Sequence, residues 1–222
     1  MANGYKNSAV LAHIDELMSD FQQFCDQVAS IFRGHPSLQK GELPPVHSVK
    51  NRLKSWDSLD DKIERKKNKG TSVDGDNVFD EITDIAGVRV FHIHTKQFED
   101  IYGVIKEWID KERWLLYEKP VAYTWDPDLR AFFEGFDIRG QQKDIYTSVH
   151  FVLVDPTDPR VKCEVQVRTL FDEIWAEIDH TLNYPYQTES LHCYEQLRVL
   201  ARLTTTGTRL NDSIIKSFRS GE

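Results

Sequence analysis

The stretch CEVQVRTLFDEIWAEIDHTLNY, residues 163–184, changes its period partway along. From Cys163 to Arg168 the apolar Cys163, Val165 and Val167 alternate with Glu164, Gln166 and Arg168, the pattern of a strand with one buried face. After Thr169, Phe171, Ile174, Trp175, Ile178 and Leu182 recur at steps of three and four. Glu173, Glu177 and His180 share another side, which predicts an amphipathic helix with Trp175 in the core. The strand lines up a carboxylate, an amide and a guanidinium on one face. The helix that follows adds two carboxylates and an imidazole.

Working outward, YTSVHFVLV (146–154), the turn DPTDPR and VKCEVQVR (161–168) read as a hairpin. VHSVKNRLK (46–54), IAGVRVFHIH (85–94) and WLLYEKPVAYT (114–124) supply further extended runs. Helical periodicity covers Ser8 to Phe32, Ser55 to Lys69 and Gln97 to Asp110, and two helices close the chain. TSVDGDN (71–77) is a turn-rich break, and the polar, glycine-containing segment from Asp126 to Lys143 reads as a long functional loop. This order predicts an α+β or α/β fold: a mixed sheet of about five strands flanked by helices, with N- and C-terminal helices. The expected division is a helical extension over 1–45, a central domain over 46–184 and a second helical extension over 185–222.

The 222 residues are 40% hydrophobic and 29% charged, enough to bury one sizeable core. A net charge of −8 argues against a general nucleic-acid coat, which carries a basic surplus. Cys25, Cys163 and Cys193 are odd in number and far apart, so neither a disulfide framework nor a CxxC metal site is indicated. With no signal-peptide pattern and no run of 18 apolar residues, the expected location is cytoplasmic, with no membrane association.

From Lys50 to Lys69 there are eight Lys or Arg against four acids. One reading is a solvated helix face with pairs such as Asp61 and Arg65. The other is a polyphosphate cradle. Alternation puts Lys50, Arg52 and Lys54 on one strand face, and the next helix sets Lys62 and Arg65 about a turn apart. Asp84 and Glu164 are then the two carboxylates suited to magnesium, which takes one or two protein carboxylates and fills its shell with water and phosphate oxygens. His92 and His94 share a strand face at a spacing zinc can use, but no third ligand lies near in sequence.

Four separated segments, RLKSWDSLDDKIERK, ITDIAGVRV, KDIYTSVH and EVQVRTLFDEIWAEIDHTLNY, together resemble the synthetase domain of RelA/SpoT-type alarmone synthetases, particularly the small single-domain ones. The resemblance implies a nucleotidyltransferase-like fold and magnesium-dependent transfer of pyrophosphate from ATP to the 3′-hydroxyl of GDP or GTP, giving AMP and (p)ppGpp. It implies ATP contacts from Arg52, Lys54, Lys62, Arg65 and Arg89, with Arg52 and Arg89 flanking adenine. It places magnesium on Asp84, with Glu164 sharing the metal or taking the proton of the attacking 3′-hydroxyl. Tyr146 would stack on the acceptor base, with Lys143 on its phosphates and Gln166 and Glu173 in the acceptor pocket. Arg168 and His180 would orient the carboxylate site. His150 is read as a structural histidine.

Two departures bear on the acceptor. The family commonly has glycine before the stacking tyrosine where this chain has Ile145, which predicts a reshaped loop. Glu173 stands where small synthetases often carry Asn. Two alternatives therefore stay open: a toxin-like relative that modifies tRNA 3′ ends or adenine nucleotides, and an inactive nucleotide- or RNA-binding module. The flanking segments are too short for the hydrolase and regulatory domains of the long family members, and the apolar stripes of both terminal helices suggest a homo-oligomer.

Overall fold

The computed structural model describes residues 4–143, 145–183 and 188–221. Asp144 of the third motif and the expected domain boundary at 184 lie outside the described residues. The chain begins with two helices, α1 (Ser8–Glu16) and α2 (Met18–Gly34), where the periodicity predicts one. The break is at Leu17, with φ −107° and ψ 5°. There follow β1 (Ser48–Leu53), α3 (Trp56–Asn68), α4 (Val78–Glu81), β2 (Ala86–His92) and α5 (Gln97–Asp110). Next come β3 (Leu115–Leu116), β4 (Val121–Thr124), α6 (Pro127–Glu134) and β5 (Arg139–Gln142). β6 (Ser148–Val154), β7 (Lys162–Thr169), α7 (Leu170–Asn183) and α8 (Leu191–Ser220) complete the chain.

The sheet is mixed and has seven strands rather than about five, in the order β1-β2-β7-β6-β4-β5 with β3 also paired to β6. β2 runs parallel to β7 and β4 to β5, and the other pairs are antiparallel. The two additional strands are the short β3 and the edge strand β5. β5 belongs to the segment expected to be a loop, as does α6. Asp126 accepts hydrogen bonds from the amides of Asp128 and Leu129 and so caps α6, and Pro127 fits the first turn because its missing N–H is not needed there. Phe132, Phe133 and Phe136 then pack around Phe98 of α5, with ring centroids 6.3, 4.9 and 5.5 Å away.

One sheet face is apolar. Ala86, Cys163 and Leu153 pair across it in one row, and Val90, Val167 and Val149 in another. α2 covers that face with Phe21, Phe24, Cys25, Val28 and Phe32, all buried in the same hydrophobic cluster as the strands. The stripe of the N-terminal helices is thus enclosed by the core rather than left for a partner. Removing a stripe of this size from water supplies roughly 1.5–3 kcal/mol for each large side chain.

Candidate active site

The other face of the sheet is polar, and the strand register arranges it in rows. Arg52, Gly87 and Glu164 stand opposite one another on β1, β2 and β7, and Lys50, Arg89, Gln166 and His150 form the next row across β1, β2, β7 and β6. Opposed side chains lie close enough to interact directly, so a row of alternate positions becomes one surface. α7 and α3 bound that surface. Arg52, Lys54, Asp84, Gly87, Arg89, Glu164, Gln166 and Glu177 line a cavity of about 500 Å³. A second of about 520 Å³ adds Lys62, Arg65, Tyr146, Arg168 and His180. The two share Arg52, Lys54, Asp84, Arg89 and Gln166 and form one two-lobed cleft.

Gly87 is the floor of the first lobe. A Cβ built there would meet nothing nearer than the Glu164 backbone oxygen at 3.9 Å, so a side chain would project into open space where a ligand could lie. Two cations of the cleft are engaged by one of its acids. Lys54 and Lys62 each reach an oxygen of Asp84 at 2.7 Å. Burial alone would raise the Asp84 carboxyl, but the two lysines outweigh it and hold it at about 2. For Glu164, burial is outweighed by the hydrogen bond and charge of His150, and the carboxyl lies below its ordinary value despite the neighbouring Asp84 charge. His180 is pushed down by burial and then by the charges of Arg52 and Arg89.

Of the residues singled out from the sequence, Lys143 and Glu173 are not part of the cleft lining. Lys143 Nζ lies 4.0 Å from the centroid of the Tyr146 ring, over which the Arg168 guanidinium also sits at 5.8 Å. Glu173 is buried beneath the cations: its Oε1 lies 3.2 Å from both Lys50 Nζ and Arg89 Nη1, and its Oε2 lies 3.3 Å from Arg168 Nη1. Ile145, where the family commonly has glycine, has an unusual backbone. Its φ is 50°, so a β-branched residue occupies the left-handed region that favours glycine. Three residues at the cleft carry no site role in the sequence reading: Gly87, His150, read as structural, and Glu177, whose Oε1 is 2.6 Å from Arg89 Nη1. Alternation alone puts Gly87 and His150 on the polar face, and that was the available signal.

Comparison with known proteins adds the decisive observation. The family described as "Region found in RelA / SpoT proteins" matches residues 51–189, well over half of the chain. The chain belongs to the RelA/SpoT family. Its RelA/SpoT region begins just inside β1 and ends beyond α7, so it contains most of the cleft lining, while Arg33 of α2 and Lys50 of β1 lie before it. Among relatives, GTP pyrophosphokinase YwaC of Bacillus subtilis (strain 168) is 28% identical over 145 residues, covering 63% of this chain and 59% of YwaC. GTP pyrophosphokinase YjbM of the same organism is 27% identical over 176 residues, covering 77% of this chain and 71% of YjbM. The match to YwaC therefore spans less than two thirds of that protein. In fold, the chain is similar to small alarmone synthetase 1 from Bacillus subtilis in its crystal structure with its product pppGpp. The TM-score is 0.65 at 20% identity, over 93% of this chain and 96% of that one.

Proposed function

We propose that this cleft carries out magnesium-dependent transfer of the pyrophosphoryl group of ATP to the 3′-hydroxyl of GDP or GTP. The observation that carries this reading is the convergence of two ionised carboxylates, Asp84 and Glu164, with Arg52, Lys54, Lys62, Arg65 and Arg89 around one cleft. Further support is that both named relatives are GTP pyrophosphokinases.

The five cations bind ATP, with Arg52 and Arg89 against adenine and Lys54, Lys62 and Arg65 on the phosphates. Tyr146 stacks on the acceptor base, Lys143 grips the acceptor phosphates, and Gln166, Glu173 and His180 complete that side with Arg168. Glu164 takes the proton as the 3′-oxygen bonds to the β-phosphorus, and the bond from that phosphorus to the α-phosphate oxygen breaks to release AMP. Such transfers depend on positioning and on neutralising charge as it develops. Asp84 and Glu164 fit magnesium. Both are ionised acids of one cavity whose charges oppose each other, and this ion needs few protein ligands. Among the described residues no group of three or more His, Cys, Asp or Glu gathers to hold a metal, which leaves the rest of the shell to water and phosphate oxygens. Bound there, magnesium would neutralise phosphate oxygens during transfer.

A second reading, with adenine nucleotides or a tRNA 3′ end as acceptor, is favoured by Ile145 and by the burial of Glu173 under cations. No helix among the described residues is long and apolar enough to cross a membrane, and we place the protein in the cytoplasm. We also assign α8 to contact with a second copy, giving a homo-oligomer. Val199, Leu203, Leu210, Ile214 and Phe218 recur along it at steps of four and seven and are all exposed.

Incubation with ATP, magnesium and, separately, GDP, GTP, ATP and deacylated tRNA, followed by chromatography, tests the reading. AMP with a pyrophosphorylated guanine nucleotide is expected. A better yield from ATP or tRNA selects the second reading, and no AMP with any acceptor makes the cleft a binding module.

A further inference from the structure

His150 joins the two halves of the acceptor side. It lies on β6 opposite Gln166, and its side chain is 17% exposed. Its Nδ1 is 3.0 Å from Glu164 Oε1, and its Nε2 is 3.0 Å from the Tyr146 hydroxyl. An edge contact with Tyr123, at 4.9 Å between centroids and 78° between planes, fixes the plane of the imidazole. A carboxylate only accepts hydrogen bonds, so Nδ1 donates to Glu164, while Nε2 on the opposite edge of the ring meets the Tyr146 hydroxyl. On the far side of the carboxylate, Gln166 Nε2 donates to Glu164 Oε2 at 2.6 Å, and Gln166 Oε1 accepts from Arg168. Each carboxylate oxygen keeps a second lone pair for a substrate proton or a metal.

We propose that His150 is a positioning residue that ties the seating of the acceptor base on Tyr146 to the aim of the Glu164 carboxylate. The tie is mechanical. Both bonds come from opposite edges of one rigid ring, so a displacement of Tyr146 turns the imidazole and draws Glu164 with it. An acceptor stacked correctly on Tyr146 thereby meets a carboxylate already pointed at its ribose, and a misplaced base meets one that is not. The inference rests on the roles proposed above for Tyr146 and Glu164.

Two substitutions separate the two edges. In His150→Asn the amide nitrogen falls near the Nδ1 position, keeping a donor for Glu164 and dropping Tyr146. In His150→Gln the amide falls near the Nε2 position, keeping a partner for Tyr146 and dropping Glu164. The expected outcome is a split. The Asn variant raises KM for GDP about fivefold or more with kcat within about twofold, and the Gln variant lowers kcat about tenfold or more with KM for GDP within about twofold. Calorimetric GDP binding, measured with a non-hydrolysable ATP analogue present, weakens in the Asn variant and holds in the Gln variant. Equal changes in both variants, or none in either, overturn the inference. Glu164→Gln separates this from a failure of the underlying reading: wild-type turnover in that variant removes Glu164 as base, whereas loss of turnover there with unaltered His150 variants removes only the coupling.

Discussion

Lys54 Nζ lies 2.7 Å from Asp84 Oδ2, and Lys62 takes the other oxygen of the same carboxylate at 2.7 Å. Two of the cations proposed to bind ATP and the acid proposed to bind magnesium are therefore each other's partners. Asp84→Asn removes one anionic ligand and frees two lysines. The magnesium concentration for half-maximal rate is expected to rise by ~10-fold, while an ATP analogue without magnesium binds at least as well as to wild type. An unchanged magnesium titration assigns Asp84 to the loop before β2 and nothing more. The same group has a pH signature. Its carboxyl sits at about 2, below its ordinary 3.8, so its contribution to stability is complete above pH ~4 and is lost as pH falls toward 2. The stability difference between wild type and Asp84→Asn is expected to shrink across that window.

If Arg89 binds ATP as proposed, Glu177 would compete with ATP for that guanidinium. Its Oε1 is 2.6 Å from Arg89 Nη1 and 3.7 Å from Lys50 Nζ, and it is half exposed at the mouth of the first lobe. A partly exposed pair of this kind contributes about 0.2–1 kcal/mol. Glu177→Gln is expected to tighten binding of an ATP analogue by up to ~5-fold, with the gain fading at high salt. Weaker binding in that variant would mean that Glu177 supports Arg89 rather than withholding it.

Asp172 provides a pH test away from the metal ligands. It is buried behind Arg168, where its Oδ2 accepts the Thr169 hydroxyl at 2.6 Å. Burial pushes its carboxyl from 3.8 up to about 6, against the Thr169 hydrogen bonds and the Arg168 charge. The folded state thus favours the protonated acid. That preference is fully present below pH ~4 and is lost as pH rises through about 6, so ionised Asp172 weakens the fold at neutral pH. At about 1.4 kcal/mol for each tenfold change in proton affinity, the rise corresponds to an effect on the order of 3 kcal/mol. Asp172→Asn is expected to gain on wild type in denaturant midpoint as pH goes from 5 to 8. A constant difference over that range would contradict the assignment.

The apolar line on α8 predicts an assembly. Leu203, Leu210 and Ile214 are 62%, 59% and 54% exposed, so Leu210→Glu with Ile214→Glu leaves the core alone. Light scattering is expected to show the mass of the double variant falling to that of one chain. If both proteins already have the mass of one chain, the line has no second copy on it.

The hairpin, the cation row and both carboxylates were legible because alternation dictates which side chains share a face. Adjacency of strands was not legible. Nothing local says that β2 lies beside β7, and that pairing is what brings Arg89 to Gln166. α6 escaped notice because its charges resemble a loop, although the Asp126-Pro127 start carries a capping signal. The role of α2 was hidden for the opposite reason: an apolar stripe reads the same whether it meets the chain's own sheet or a partner. His150 has no sequence signal for its partners, since its bond to Glu164 runs diagonally across two strands.

Acceptor choice brings Glu173 and Tyr146 together, because both touch Arg168. Tyr146 offers a flat face worth roughly 1–3 kcal/mol per stacked base and blind to its identity. Selectivity needs an edge contact. An ionised Glu173 would accept from the two adjacent donors on the guanine edge and repel the N1 acceptor of adenine. That carboxylate is buried, with Oε1 taken by Lys50 and Arg89. On the proposed function, ATP would draw Arg89 away from it and so make it available. Guanine preference is therefore expected to depend on the donor: GDP and ADP should bind about equally well to the free protein, and GDP better once a non-hydrolysable ATP analogue is present. The margin expected is the ~1–3 kcal/mol cost of an unpaired buried polar group. Tyr146→Ala should weaken both acceptors alike, and Glu173→Gln should remove only the donor-induced preference. Should the wild-type protein pyrophosphorylate ATP or the adenosine end of tRNA faster than GDP, Glu173 serves as a counter-ion to Arg89 and Arg168, and the strained turn at Ile145 becomes the place to look for the changed acceptor.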